Sequence, residues 1–209
     1  MADEKLAAAE KIEYSIACGM KELSLAQLKQ RQREALSAFL SGHDVMVNLP
    51  TGYGKSAVYQ LAPFCYDIFH NRTKSVALVI SPLVALMKDQ VQVLYGKNIE
   101  AVYLSEVGVS GLRDRLKNGN LRVVFASPES VLENQSVREL FQNRCYRELI
   151  CDVFIDEAHC VAKWGLGDKK VFRIWYGRLS ELRSLLPKDI HMVALTATAT
   201  SSIQKIIIE

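Results

Sequence analysis

Six short apolar runs constrain this chain more than any other feature: "DVMVNL" (44–49), "SVALVIS" (75–81), "IEAVYLS" (99–105), "RVVFAS" (122–127), "CDVFID" (151–156) and "HMVALTA" (191–197). They are rich in Val, Ile, Phe and Ala, which suits strands buried on both faces. Between them, segments such as "SLAQLKQRQREALSAFLSG" and "PLVALMKDQVQVLYGK" repeat apolar residues at helical spacing. Strand-helix alternation of this kind predicts a parallel sheet covered by helices on both sides, a three-layer α/β domain over residues 26–209. Residues 1–25 read as a separate helical arm. Gly42 and Gly96 fall where two of the helices should stop and are expected to cap their C-termini. No repeat, low-complexity tract or Pro/Ser-rich linker divides the sequence.

Composition excludes several other classes. A length of 209 residues supports one good-sized core, and no apolar run approaches the roughly 20 residues of a membrane helix. The opening "MADEKLAAAEK" lacks the basic-then-apolar layout of a secretory signal. The expected location is therefore the nucleus in a eukaryote and otherwise the cytoplasm. Cys18, Cys65, Cys145, Cys151 and Cys160 form no C-x-x-C pair, so neither a disulfide framework nor a zinc site is indicated. A net charge of +3 permits an anionic partner without demanding one.

Chemistry concentrates in "NLPTGYGKSAVYQL", Asn48 to Leu61, which follows one predicted strand and opens a predicted helix. Glycines at 52 and 54 let backbone N–H groups converge on an anion, and the helix N-terminus adds partial positive charge. Lys55 can neutralise the outer phosphates of a nucleoside triphosphate, and the Ser56 hydroxyl can ligate its Mg²⁺. Leu49 stands where the full pattern G-x-x-x-x-G-K-[ST] has its first glycine, so the stretch also reads as a glycine turn with a surface lysine. Asp156 and Glu157 end the fifth apolar run, at the sheet edge where α/β ligands bind. One carboxylate there can hold Mg²⁺, the other can polarise an attacking water. Alone, the pair could equally be a solvated helix start. His159 could report nucleotide state to the later "TAT" stretch, or serve structurally.

Taken together, "PTGYGKS", "SPLVALMKDQV", "ASPES", "DEAHC" and "ALTATAT" resemble, in order and spacing, the motifs of helicase superfamily 2, and their wording resembles the RecQ family of ATP-dependent DNA helicases. The resemblance implies a RecA-like phosphate-loop NTPase lobe that uses ATP and Mg²⁺. Its catalytic group would be Lys55, Asp156, Glu157 and His159, with Ser56 and Asp156 on the metal. Leu49, Pro50, Thr51, Gly52, Tyr53, Gly54, Lys55 and Ser56 would form the phosphate loop. "LKQRQREAL" is similar to the family's upstream motif, in which Gln32 would read the adenine edge and Lys29 replaces the usual arginine. Thr196 and Thr198 would link hydrolysis to DNA binding.

The same resemblance assigns DNA contacts to Ser81, Pro82, Lys88 and Ser127, facing the phosphates of a single strand. Read without it, those serines are strand-to-helix caps. Within "KWGLGDKKVFRIWYGRL", Trp164, Phe172 and Arg173 resemble the family's base-stacking aromatic loop, although four extra residues separate its ends and the family's histidine is missing. The implied partner is single-stranded or forked DNA, and the implied activity is that of a 3′–5′ DNA helicase. "ALTATAT" closes the first of two RecA-like lobes in the family, so the expectation is an ATP-binding lobe without the second lobe and its arginine finger, inactive in unwinding when isolated. A non-catalytic nucleotide- and DNA-binding module, or a truncated gene product, is the alternative.

Overall fold

A computed structural model describes residues 2–160, 179–186 and 190–198. Helix α1 (Ala2–Glu22) and helix α2 (Gln30–Leu40) lead into β1 (Val45–Asn48), α3 (Ser56–His70), β2 (Val76–Ile80), α4 (Val84–Tyr95) and β3 (Glu100–Tyr103). There follow α5 (Leu104–Asn118), β4 (Leu121–Ala126), α6 (Pro128–Leu132), α7 (Gln135–Gln142), α8 (Arg144–Arg147), β5 (Ile150–Ile155), α9 (Leu179–Leu185) and β6 (Met192–Thr196). All six predicted strands form, in one parallel sheet of order β1-β6-β5-β2-β4-β3. Their composition explains the order. Strands β2 and β5, the second apolar but for a buried Asp152, are buried throughout and lie centrally, whereas β1 and β3 are half-buried and lie at the edges.

Side-chain alternation sorts the strand residues into two cores, one on each face of the sheet. Ala77, Val79, Val123, Phe125 and Phe154 pack beneath α1 to α4, while Leu78, Ile80, Val124, Val153 and Ile155 pack with α5 to α9. Register shifts leave Arg122 and Cys151 as extra residues near the starts of β4 and β5. These bulges swap the face of the preceding positions without breaking either core. On the first face Tyr59, of α3, meets Phe125 and Phe154 edge-on, with ring centroids 5.8 and 6.1 Å apart. Helix α1 lies against α3, with Ile12 and Ile16 joining that core. Gly19 makes the close approach possible, since a Cβ there would stand 2.6 Å from Cys65 Sγ.

One local expectation needs correction. Helical periodicity begins at residue 24, but α2 starts at Gln30, because Ser24 takes a left-handed φ of 52° and Lys29 closes a capping box with Gln32. Gly42 does take the left-handed conformation after α2, at φ 79°. Gly96 is the C-cap of α4 as expected, in a right-handed conformation with its N–H donating to Gln92 O at 3.0 Å, and the left-handed residue of the turn that follows is Asn98 at φ 58°. Asparagine tolerates that conformation better than most residues, which leaves Gly96 no conformational task. No helix among the described residues is long and apolar enough to cross a membrane.

Candidate nucleotide site

The phosphate loop, the acidic pair and the threonine stretch meet because β1, β6 and β5 are neighbours whose carboxyl ends point the same way. Hydrogen bonds extend the sheet beyond the strands: the Leu49 N–H donates to Thr196 O (2.9 Å), the Ala158 N–H to Leu195 O (2.8 Å) and the Asp156 N–H to Ile80 O (2.8 Å). Leu49 is thus the last rung of β1, fully buried. An apolar residue rather than glycine stands there because the position belongs to the core.

Past Leu49 the loop rises to the surface, and Pro50, Thr51, Gly52 and Gly54 are exposed. Gly54 has a φ of +89°, and a Cβ on it would come within 2.8 Å of the Gln32 amide nitrogen. The site therefore admits only glycine without strain. Gln32 braces the loop from α2, donating to Tyr53 O (3.2 Å) and Gly54 O (2.8 Å) while its Oε1 accepts from the Lys29 N–H (2.9 Å). Lys29 adds a bond from Nζ to Tyr53 O (3.0 Å) and lies over the Tyr53 ring at 4.3 Å. Meanwhile the N–H groups of Gly52, Gly54, Lys55 and Ser56 have no hydrogen-bond partner among the described residues. Unpaired donors gathered at the start of α3 fit an anion.

Facing the loop, Asp156 is 5% exposed. Burial, reinforced by the neighbouring Glu157 charge, pushes its carboxyl up to about 6, against the opposing pull of the Glu157 N–H and Lys55. A buried oxygen donor held partly protonated is a group that a hard dication would ionise, and the Ser56 hydroxyl supplies a second oxygen. Glu157 has a left-handed φ of 51°, uncommon for a residue with a Cβ, and this turns its side chain away from that of Asp156. Its Oε1 lies 3.6 Å from Lys55 Nζ and its Oε2 lies 3.2 Å from His159 Nδ1. His159 Nδ1 is also 3.3 Å from Thr196 Oγ1, which accepts from the Thr198 N–H at 3.2 Å. A continuous chain of contacts thus runs from Lys55 through the acidic stretch to the threonines.

Tyr59 was not singled out by sequence reasoning. Burial, with the Asp156 charge adding to it, pushes its phenol well up, and a hydrogen bond to the Ser56 side chain opposes the shift. Helical spacing carries the signal, since Tyr59 lies three residues after Ser56 on the same face of α3. Among the expected DNA contacts, Ser81 and Pro82 are buried, and the Ser81 hydroxyl has no hydrogen-bond partner among the described residues. Ser127 is buried too and caps α6, accepting from the Ser130 N–H at 3.3 Å. The hydroxyls of Ser81 and Ser127 therefore do not face solvent; both residues end strands, where their side chains turn into the sheet's covering layer. Lys88 is exposed on α4. Trp164, Phe172 and Arg173 lie outside the described residues.

A six-stranded parallel sheet with a glycine-rich loop and an acidic pair at its carboxyl edge has the architecture of a RecA-like phosphate-loop lobe. The profile of the DEAD/DEAH box helicases matches residues 29–206, and the chain belongs to that family. Its relatives there are of the RecQ type. It is 37% identical over 181 residues to the ATP-dependent DNA helicase RecQ of Haemophilus influenzae, covering 85% of this chain and 26% of the relative. It is 37% identical to the ATP-dependent helicase SGS1 of Saccharomyces cerevisiae, over 88% of this chain and 12% of the relative. To the RecQ-like DNA helicase BLM of Xenopus laevis it is 36% identical, over 88% of this chain and 13% of the relative. The chain thus spans between 12% and 26% of the length of these relatives, and the match places it at the N-terminal lobe.

Proposed function

We propose that this lobe binds Mg-ATP at the β1–α3 loop and single-stranded DNA on its surface and, within a two-lobed RecQ-like helicase, contributes to ATP hydrolysis coupled to 3′–5′ unwinding of duplex DNA. The observation that carries the reading is the contact chain Lys55–Glu157–His159–Thr196, which joins three motifs distant in sequence into one device. The unpaired N–H groups at Gly52, Gly54, Lys55 and Ser56 receive the phosphates, and Lys55 neutralises the outer ones. Ser56 and Asp156 hold the Mg²⁺, which when bound screens phosphate charge as phosphoryl transfer proceeds. Glu157 orients and polarises the attacking water.

The Lys55–Glu157 pair supplies the coupling. Phosphates compete for Lys55 and draw it from Glu157, which frees that carboxylate for water while it remains against His159. His159 then passes the change to Thr196 and Thr198, at the end of β6. Adenine recognition by Gln32 requires its amide to exchange a bond now made to the loop, so base binding and loop geometry are linked through one side chain. Titration of a fluorescent ATP analogue in Mg²⁺ tests the assignment. Lys55→Ala should weaken binding by about 2 kcal/mol or more, roughly 30-fold. Equal affinity of wild type and Lys55→Ala would refute it.

A further inference from the structure

Resting on the assignment of Lys88 as a DNA phosphate contact, we propose that Glu106 competes with that phosphate for Lys88, which weakens the grip on single-stranded DNA and makes it depend on several phosphates at once. Lys88 projects from α4 and Glu106 from the first turn of α5, with Nζ and Oε2 3.7 Å apart and both side chains more than half exposed. With Ser81, Pro82 and Ser127 buried, Lys88 is the exposed basic side chain of this motif. The two side chains stand at a cleft of about 220 Å³ that Gln92, Tyr103 and Arg115 also line. Arg115 is not the partner of Glu106, because Glu100 holds it at 2.7 Å. The carboxylate therefore sits where a phosphate oxygen would sit to engage Lys88.

The backbone gives Glu106 its place. Leu104–Val107 is a single turn set off from the rest of α5 by Gly108, whose φ of 68° and ψ of 179° interrupt the helix in a region open essentially to glycine alone. Buried Leu104 anchors the turn, and Glu106 faces outward toward α4. An exposed ion pair is weak and yields to a stronger electrolyte. A strand of many phosphates displaces Glu106, helped by counterion release, whereas a lone anion gains little by doing so. Glu106 thus sets how readily the strand is released as well as how it is held.

Fluorescence anisotropy with a labelled oligo-dT of about 15 nucleotides, from about 50 to 250 mM salt, tests this on wild type, Glu106→Gln, Lys88→Ala and the double variant. Glu106→Gln should tighten binding about 3- to 10-fold at the lowest salt and steepen the logarithmic salt slope by about 0.7, the share of one single-strand phosphate. On the Lys88→Ala background the same change should alter affinity less than about twofold. Unchanged affinity for Glu106→Gln, or an equal gain on both backgrounds, overturns the proposal although Lys88→Ala still weakens binding. If Lys88→Ala alters neither affinity nor slope, the assignment of Lys88 fails, and the proposal with it. Both side chains are exposed, so neither substitution threatens folding.

Discussion

Replacing Asp156 by asparagine should make the nucleotide-free protein more stable while destroying its metal site. Asp156 titrates near 6, whereas the same carboxyl in an unfolded chain titrates at 3.8. The folded state therefore binds more protons than the unfolded state between those values, so stability is greatest below 3.8, falls as pH rises through the folded value, and levels off above it. At neutral pH the ionised form costs about 3 kcal/mol relative to the unfolded chain. Asparagine has the same shape, and its oxygen can keep the bond now donated by the Glu157 N–H to Asp156 Oδ1 at 3.0 Å. Its buried amide hydrogens lack evident acceptors, which returns about 1 kcal/mol of the gain. The net expectation is about 2 kcal/mol of added stability at pH 7.5, or about 4–8 °C in Tm for a chain of this size. Urea titrations of wild type and Asp156→Asn at pH 4.5, 6 and 7.5 would show the gap shrinking as pH falls. A variant no more stable at pH 7.5, or a gap independent of pH, would refute the reasoning. The same charge cost gives Mg²⁺ its leverage, because the metal relieves a carboxylate that the fold holds at a disadvantage, and Mg-nucleotide affinity should weaken below about pH 6.

Gly54→Ala should cost about 2 kcal/mol of stability and loosen nucleotide binding, since the new Cβ meets Gln32 and must occupy a φ of +89°; chemical denaturation and nucleotide titration measure both effects, and an unchanged loop would leave both at wild-type values. At the amino edge of the sheet, Arg122 donates to Asp67 at 2.7 Å, and Asp67 also accepts from the Ser75 N–H at 3.2 Å. Asp67→Ala strands a largely buried guanidinium and should cost about 3 kcal/mol in urea titration, with nucleotide affinity unchanged.

The strands and their number were legible in the sequence because a strand buried on both faces needs a continuous apolar run, and that requirement leaves a local mark. So was the phosphate loop, whose glycines and lysine must be contiguous to wrap one anion. Leu49 shows where local reading stops: as a departure from the phosphate-loop pattern it weakens the motif, yet its position as the buried last rung of β1 accounts for it. Ser127 is legible in another way, since its type after a strand reads as a helix cap and in the structure it caps α6.

What the sequence alone determined is the covalent and local part: six apolar strands, the helices between them, and the residue types at two strand ends. Which strands become neighbours was decided only in three dimensions. The order β1-β6-β5-β2-β4-β3 sets β1 beside a strand that begins 144 residues later than its own last residue, Asn48. From that adjacency come the Lys55–Glu157 pair, the His159–Thr196 contact and the raised titration of Asp156, none of which has a local signature. The pairing of Lys88 with Glu106 belongs to the same kind, because it needs the kink at Gly108 and the packing of α4 beside β3. Charges act through space and burial, and both are properties of the packed sheet rather than of the chain that forms it.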